Sequence, residues 1–353
     1  MSRYNIGVDI GGTTVKIGVF DRDMAANKIL MKKAIPTRTE NGGVHILPDI
    51  AEAVALMLEE CGAGMDDVEK IGVGVPGPVV RDRESGDMLV NGCVNLGWSE
   101  LVDISAELGE LTGVSDISVT NDANAAALGE VIAGSCRDKT VAVITIGTGI
   151  GGGIVQSGEI MEGAFGAAGE VGHMKIQPQH EMIKTLARRQ PADEGKAGEG
   201  AADAVDAGDS EGAGAQAGLE IFKDLEYYTS AVGIARVAKA ALDLLPDESV
   251  MREAEAVDAK CVMDAAKAGD KLALKVTDFF FDTLGYGLAT IASVIDPDMF
   301  IIGGGVAGAG QFLSDGLQAG YRKYVFHASR DTEFRLAVLG NDAGMIGAAC
   351  CGD

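Results

Sequence analysis

Strand-like and helix-like patterns alternate along most of the chain. Apolar runs of strand length lie at 71–80 and 118–122, whereas 48–61 and 124–134 place apolar residues at helical spacing. Strands that alternate with helices in this way are typical of layered α/β folds. The pattern therefore predicts an α/β protein, and 353 residues suffice for two domains.

The first strand is interrupted by a Gly-Gly-Thr-Thr turn at 11–14 and then resumes at once. One interpretation is a β-hairpin turn, in which glycine supplies positive φ. The other is a phosphate cradle, in which glycine lets backbone N–H groups approach an anion. Thr13 and Thr14 would then add hydroxyl donors, and Asp9 could hold a metal through water. The turn by itself leaves both interpretations open.

A second strand–turn–strand unit occupies 141–160, with glycine and threonine again at the turn. Two such units, one in each half of the chain, predict two related lobes that face each other across a cleft. Helical periodicity occupies much of 241–295, and 298–305 predicts a buried strand that ends in glycines.

The stretch 191–218 breaks this pattern, because it is almost wholly Ala, Gly, Asp and Glu. Such a composition cannot bury enough apolar surface to offset the entropy of ordering. We therefore predict a disordered acidic insertion, with a partner-binding segment as the alternative.

Charge and composition argue against several classes of protein. The net charge of −24 repels nucleic acid, so no nucleic-acid partner is expected. No apolar run is long enough to span a membrane, and the first strand begins too early to leave room for a signal peptide. Six cysteines without a CxxC pair indicate neither a disulfide framework nor a zinc ribbon. We expect a cytoplasmic protein.

Glycine-rich turns follow apolar strands at 11–14, 147–153 and 303–305. The third fits the G-x-G-x-x-G spacing of dinucleotide-binding folds, but no acidic residue closes a following strand about twenty residues later. A Walker A loop is excluded, because the only Gly-Lys pair, at 195–196, is followed by Ala197.

Two polar clusters are candidates for chemistry. Asn121 and Asp122 lie where a predicted strand meets a predicted helix. They could cap that helix, or the carboxylate could accept a proton from a substrate hydroxyl while the amide orients the substrate. Glu170 and His173 lie three residues apart in a glycine-rich loop. The histidine could be a structural loop residue, or the pair could bind neighbouring sugar hydroxyls.

Taken in order, these segments resemble the ROK family of sugar kinases and repressors, within the sugar kinase/heat-shock ATPase/actin superfamily. DIGGTTVKIGVFD and ITIGTGIGGGIV are similar to its two phosphate motifs, TNDANAAALGE to its catalytic segment and GEVGH to its sugar-binding GExGH. IGVGVPGPV with VNLGW resembles the sugar-side segment of glucokinases, DPDMFIIGGGV the adenosine motif and NDAGMIGAA the C-terminal segment. The resemblance covers nearly the whole chain apart from the insertion and implies a two-lobed actin-like fold.

The resemblance also implies roles for individual residues. Asp122 would be the general base, and the sugar would be held by the backbone of Gly77 and by Asn121, Glu170, His173 and Glu226. ATP with Mg²⁺ would bind at the phosphate turns through Asp9, Gly11, Gly12, Thr13, Thr14, Lys16, Thr148 and Gly149. Its adenosine would lie at Gly304 and Gly305. On this interpretation the turn at 11–14 is a phosphate cradle.

In one respect the chain departs from the family pattern. ROK proteins usually carry a CxCGxxGC cluster that binds zinc together with the GExGH histidine. Here no cysteine lies between 136 and 261, and Asp224 aligns with the last cluster cysteine, so we expect no structural zinc. We expect instead that a helix beginning near Leu219 packs the loop in place, with apolar residues at helical spacing. These residues are Leu219, Phe222, Leu225 and Tyr228.

Together these inferences predict a two-lobed α/β sugar kinase, with a small lobe of 1–121 plus about 335–353 and a large lobe of 122–334. The expected reaction is ATP-dependent phosphorylation of a hexose, with glucose first, by a cytoplasmic homodimer at the start of glycolysis. N-acetylmannosamine or fructose as substrate, polyphosphate as donor and a non-catalytic sugar sensor are the alternatives. A repressor is disfavoured, because the early first strand leaves no room for a preceding helix-turn-helix.

Overall fold

A computed structural model describes residues 3–22, 29–82, 88–90, 92–178, 180–182, 186 and 222–352. The predicted acidic insertion at 191–218 lies outside these residues. The described strands are β1 (Tyr4–Ile10), β2 (Thr14–Asp21), β3 (Ile29–Pro36), β4 (Val68–Val75), β5 (Val79–Arg81), β6 (Met88–Val90), β7 (Ile117–Asn121), β8 (Thr140–Ile146), β9 (Ile150–Gln156), β10 (Glu159–Ile160), β11 (Lys175–Ile176), β12 (Lys223–Asp224), β13 (Met299–Gly303) and β14 (Glu333–Leu336). The described α-helices are α1 (Ile46–Glu60), α2 (Ile104–Thr112), α3 (Asp122–Ala133), α4 (Leu225–Thr229), α5 (Ala231–Leu244), α6 (Ala259–Lys267), α7 (Lys271–Ile295), α8 (Gln311–Tyr324) and α9 (Ala343–Ala349).

Two five-stranded sheets share one topology. The first has the order β3-β2-β1-β4-β7 and the second β10-β9-β8-β13-β14. In each sheet the first three strands along the chain are antiparallel neighbours, and the two later strands run parallel to the central one. The repeated strand–turn–strand pattern of the sequence therefore corresponds to a repeated sheet.

The predicted strand at 71–80 is in fact two strands, β4 and β5. Gly77 separates them with a φ of 97°, a conformation that residues with a side chain rarely adopt. Because Pro78 follows and cannot donate a backbone hydrogen bond, the ladder stops here. The apolar run continues through the turn, so hydrophobicity alone does not reveal the break.

The C-terminal helix α9 packs on the first sheet through glycine. A Cβ added at Gly72 of β4 would lie 1.7 Å from the carbonyl oxygen of Ala348. Helices α9 and α3 are equally close, because a Cβ at Gly347 would lie 1.7 Å from the carbonyl oxygen of Ala125. These close backbone contacts hold α9 against β4 and against α3, the helix that begins at Asp122.

Two large hydrophobic clusters fill the protein. One joins the first sheet to α1 and α2, with fully buried residues such as Ile6, Val54 and Leu108. The other joins the second sheet to α5, α6, α7 and α8. On this packing we propose the lobe division given above, near residue 121 and again near residue 335. Within the described residues, no helix is both long and apolar enough to span a membrane.

Candidate active site

The turn between β1 and β2 is exposed at its tip, and its two glycines have different surroundings. The Gly11 N–H donates to the Thr14 carbonyl at 3.0 Å, and a Cβ at Gly11 would lie 2.9 Å from that oxygen. The hairpin therefore requires glycine at position 11. Gly12 is exposed, lies outside the left-handed region, and a Cβ there would meet nothing closer than Asn95 at 3.9 Å. The hairpin does not require glycine at position 12, which favours the phosphate-cradle interpretation there.

Thr13 is exposed at the tip of this turn, and Thr14 begins β2. Thr37, just after β3, supports the turn from behind. Its hydroxyl donates to the Gly11 carbonyl at 2.6 Å, and its N–H donates to the Thr13 carbonyl at 3.0 Å. The turn thus has a fixed shape with its open side toward solvent.

Asp9 and Lys16 face each other across β1 and β2. Lys16 Nζ lies 3.1 Å from Asp9 Oδ2 and also donates to the Asn341 carbonyl at 3.0 Å. Asp9 in turn lies against α9, where a Cβ at Gly344 would be 2.9 Å from its carboxyl carbon. Both predicted phosphate-side charges therefore lie at the base of the first turn.

Asn121 caps helix α3. Its Oδ1 accepts from the Ala123 N–H at 2.8 Å and the Asn124 N–H at 3.3 Å, and its Nδ2 donates to the Gly77 carbonyl at 3.0 Å. The capping interpretation is therefore correct for Asn121. The side chain ties the β4–β5 turn to the start of α3, and only the second Nδ2 hydrogen is left for a sugar.

Asp122 is the first residue of α3 and is partly buried. Burial raises the pKa of its carboxyl to about 6, and the negative charges of Asp9 and Glu170 act in the same direction. The Ala123 N–H, which donates to Asp122 Oδ1 at 2.8 Å, opposes this rise. The pKa of the Asp122 carboxyl therefore depends on charges beside the first phosphate turn and in the GExGH loop.

Glu170 directly precedes a short 3₁₀ turn, Val171–His173, and His173 is the last residue of that turn. His173 Nε2 lies 3.9 Å from Glu170 Oε2, and His173 Nδ1 lies 3.8 Å from Asp224 Oδ2. These separations are longer than hydrogen bonds. Both Glu170 and His173 are exposed, so their polar atoms remain available to a ligand.

Glu226, in helix α4, contacts the second phosphate turn. Its Oε2 accepts from the Ile150 N–H at 2.9 Å, and a Cβ at Gly149 would lie 2.4 Å from the same oxygen. Thr148 is exposed at the tip of this turn, which is closed by the Gly147 N–H donating to the Gly149 carbonyl at 2.9 Å. Glu226 therefore joins the GExGH side of the site to the phosphate side.

The helix predicted to begin near Leu219 begins instead at Leu225, after the short strand β12. Leu225 and Tyr228 are fully buried as expected, but the Phe222 side chain is 63% exposed and does not pack. Leu219 lies outside the described residues. Helical spacing was not sufficient here, because the strand pairing of β11 with β12 continues to Asp224.

The third glycine turn begins after β13. Gly304 has a φ of 79°, and a Cβ there would lie 2.4 Å from the Ile146 carbonyl oxygen, so the turn packs against the end of β8. Gly305 is exposed with open space around it. A pocket of about 350 Å³ lies beside it, lined mainly by α6, the start of α5 and the residues after Gly305. The Ala231 N–H at its edge donates to the Gly147 carbonyl at 2.8 Å, which connects the pocket to the second phosphate turn.

Two residues that the sequence analysis did not single out also belong to this region. Asn95 lies opposite Gly12, and Cys93 lies behind Gly77, where a Cβ would be 3.9 Å from its Sγ. Burial and, less strongly, the charge of Asp122 raise the pKa of the Cys93 thiol. Both residues are in or next to VNLGW, the segment that resembles the sugar-side segment of glucokinases. The resemblance indicated the region but not which of its side chains lie near the two turns.

The described residues around His173 lack the donor set that zinc prefers. Among the described residues no group of three or more His, Cys, Asp or Glu side chains could hold a metal ion. The Asp224 carboxylate pairs with Lys175. An ammonium group on this carboxylate competes directly with a metal for the same oxygen.

Comparison with known proteins shows the family to which the chain belongs. The model of the ROK family matches residues 5–351. A glucokinase of Halalkalibacterium halodurans is 34% identical over 350 residues, which cover 98% of this chain and 93% of that protein. The solved ROK hexokinase of Thermus thermophilus is 30% identical, with a TM-score of 0.69 over 98% of this chain and 96% of that one. A ROK glucokinase of Streptomyces griseus, solved in complex with glucose and AMPPNP, is 29% identical, with a TM-score of 0.64 over 98% of each chain.

Proposed function

Since the chain belongs to the ROK family and is a sugar kinase with a two-lobed actin-like fold, we propose that it transfers the γ-phosphoryl group of ATP to the 6-hydroxyl of glucose. The observation that carries the proposal is the Asp122 carboxyl, with its pKa of about 6. It interacts with Asp9 beside the first phosphate turn and with Glu170 in the GExGH loop. A proton acceptor within electrostatic range of both carboxylates is suited to receive the proton of a sugar hydroxyl that attacks a phosphoryl group.

In the proposed reaction the sugar oxygen attacks the γ-phosphorus and its proton passes to Asp122, while ADP leaves with the electrons of the broken P–O bond. A carboxyl with this pKa is mostly ionised at neutral pH and is more basic than an ordinary aspartate, which suits a general base. Asn121 supports it by holding the start of α3 to Gly77. The base and the sugar-side turn therefore form one unit.

The nucleotide would extend from the β1–β2 turn across the β8–β9 turn to the pocket beside Gly305. Gly12 and Thr148 are exposed at the two tips, where N–H and hydroxyl groups could reach the phosphates. Mg²⁺ bound to those phosphates would offset the negative charge of the transferring group. Asp9 is the carboxylate beside the first turn that could hold the ion through water.

We propose glucose rather than an N-acetylated sugar because of the turn at Gly77. Gly77 has no side chain, Pro78 has no N–H, and the Gly77 carbonyl already accepts from Asn121. At these two residues the turn offers no side-chain donor to an acetamide carbonyl. A polar group left without a partner in a closed site lowers affinity.

The test is a coupled assay of ADP formation with a panel of hexoses: glucose, mannose, fructose and N-acetylmannosamine. We expect the highest kcat/KM for glucose with ATP as donor, and a weaker reaction or none with polyphosphate. A higher kcat/KM for N-acetylmannosamine would contradict the proposed specificity. Glucose binding without turnover of any sugar would contradict the reaction itself and indicate a sensor.

We extend the proposal to the setting of the enzyme, a cytoplasmic homodimer that acts at the start of glycolysis without a nucleic-acid partner. The net charge of −24 supports the last point, because it opposes binding to phosphate backbones. Size-exclusion chromatography with light scattering would test the dimer.

A further inference from the structure

The GExGH loop and the segment that carries Glu226 are joined by a two-stranded ribbon, β11 paired with β12. Lys175 is the direct cross-strand partner of Asp224, and Ile176 is the partner of Lys223. The pairing extends one step further, since the Leu225 N–H donates to the Met174 carbonyl at 2.8 Å. His173 lies at one end of this ribbon, and Glu226 follows it on the other strand.

Charged groups cross-link the ribbon on one face. The Lys175 ammonium pairs with Asp224 Oδ1, while Asp224 Oδ2 lies 3.8 Å from Nδ1 of His173. One carboxylate of β12 therefore faces both the ammonium group of Lys175 on β11 and the imidazole of His173 in the turn before β11. Zinc in relatives with the cysteine cluster would join the same two segments. The residues here do not fit that metal, because no cysteine lies between 136 and 261 and the Asp224 carboxylate already pairs with Lys175.

We infer that the Lys175–Asp224 ion pair replaces the metal cross-link and positions His173 and Glu226 for the sugar. The inference rests on the proposed function for the ligand, glucose, but the ribbon can be tested without turnover. Asp224 lies two residues before Glu226, whose carboxylate contacts the Ile150 N–H. A shift of β12 would therefore displace Glu226 together with the second phosphate turn.

The competing explanation is that apolar packing alone holds the ribbon. Leu225 and Tyr228 are fully buried directly after β12, and such burial could position Glu226 without any ion pair. The two explanations differ in their dependence on charge. An exposed ion pair weakens with added salt, whereas apolar packing does not.

A double-mutant cycle distinguishes them: Lys175→Met, Asp224→Asn and the combined variant. Glucose affinity is read from the fluorescence of Trp98, the only tryptophan, which is buried in the VNLGW segment. We expect each single variant to raise the glucose Kd and KM about two- to fivefold, with kcat within about twofold. The glucose Kd of the combined variant should be no higher than the higher of the two single-variant values. The rise in Kd caused by each single substitution should become smaller in high salt.

A matched control is Lys275→Met. Lys275 pairs with Asp247 at 2.7 Å, and the side-chain exposures of 51% and 25% are close to the 61% and 29% of Lys175 and Asp224. This pair joins α7 to the segment after α5, away from the ribbon, so glucose affinity should not change. Equal effects of Lys175→Met and the control, or effects of Lys175→Met and Asp224→Asn that simply multiply, would overturn the inference.

Two measurements separate this result from a failure of the proposed function. Hydrogen–deuterium exchange of the backbone at 173–176 and 223–226 should be faster in Lys175→Met than in the parent protein, whichever sugar is the substrate. Elemental analysis of the purified full-length protein should find no stoichiometric zinc. One tightly held zinc per chain, or unchanged exchange in the ribbon, would show that the ion pair is not the cross-link.

Discussion

Replacing the Asp122 carboxylate with an amide keeps its size and its place at the start of α3 but removes the proton acceptor. We expect Asp122→Asn to lower kcat about 10²–10⁴-fold, while glucose still binds. Steady-state kinetics and Trp98 fluorescence would measure the two effects separately. A variant that retains more than about a tenth of the parent turnover would contradict the role of general base.

Asp103→Asn is the matched control for this substitution. Asp103 also lies at the start of a helix, where its side chain accepts from the Ala106 N–H at 2.9 Å. Asparagine caps helices about as well as aspartate. The control should therefore keep both its turnover and its stability.

The raised pKa of Asp122 also predicts how activity depends on pH. Only the ionised carboxyl accepts a proton, so kcat/KM should rise with pH through about 6 and then level off. Below that pKa the rate should fall about tenfold for each pH unit. The residual activity of Asp122→Asn should lack this step. A profile of the parent enzyme that stays flat on both sides of this pKa would assign the base to another residue.

At the scale of elements, the contact between α3 and α9 allows no side chain at Gly347. A Cβ there would lie 1.7 Å from the Ala125 carbonyl oxygen, so the helices must separate to accept alanine. Overpacking of this kind typically costs about 1–3 kcal/mol. We expect Gly347→Ala to lower the free energy of unfolding by at least this amount, as measured by chemical denaturation.

Gly64→Ala provides the comparison for that measurement. Gly64 has extended backbone geometry, and a Cβ there would meet nothing within 4 Å. The substitution should therefore change stability by no more than about 0.5 kcal/mol. If both alanine variants were equally stable, the close packing of α3 on α9 would be wrong.

At the scale of the whole molecule, residues 191–218 should be dispensable. The described chain reaches Ile176 on β11 and returns at Lys223 on β12, and these two residues are cross-strand partners. Shortening a connection between paired strands changes the loop-closure entropy only slowly with length. We expect deletion of 191–218 to leave kcat/KM and Tm nearly unchanged. A folded deletion variant without activity would tie the acidic segment to the site, and loss of folded protein would give it a structural role.

Much of the fold could be predicted from local signals in the sequence. The predicted helix at 48–61 is α1 (Ile46–Glu60), the predicted strand at 118–122 is β7, and both Gly/Thr turns separate antiparallel strands. Periodicity and glycine placement suffice here because each signal lies within a few residues of the structure it specifies. The break between β4 and β5 at Gly77 was not predicted, because the backbone geometry of Gly77 interrupts the strand while the sequence on both sides stays apolar.

The sequence by itself determined the α/β class, the two repeated strand–turn–strand units and the position of Asp122 at a strand–helix junction. Tertiary structure alone decided what the polar side chains contact. Glu226 meets the Ile150 N–H across 76 positions, Asn121 holds the Gly77 carbonyl, and Asp224 pairs with Lys175. The physical reason is range: periodicity and turn preference arise between near neighbours in the chain, whereas these partners meet only after strands and helices from distant segments have packed.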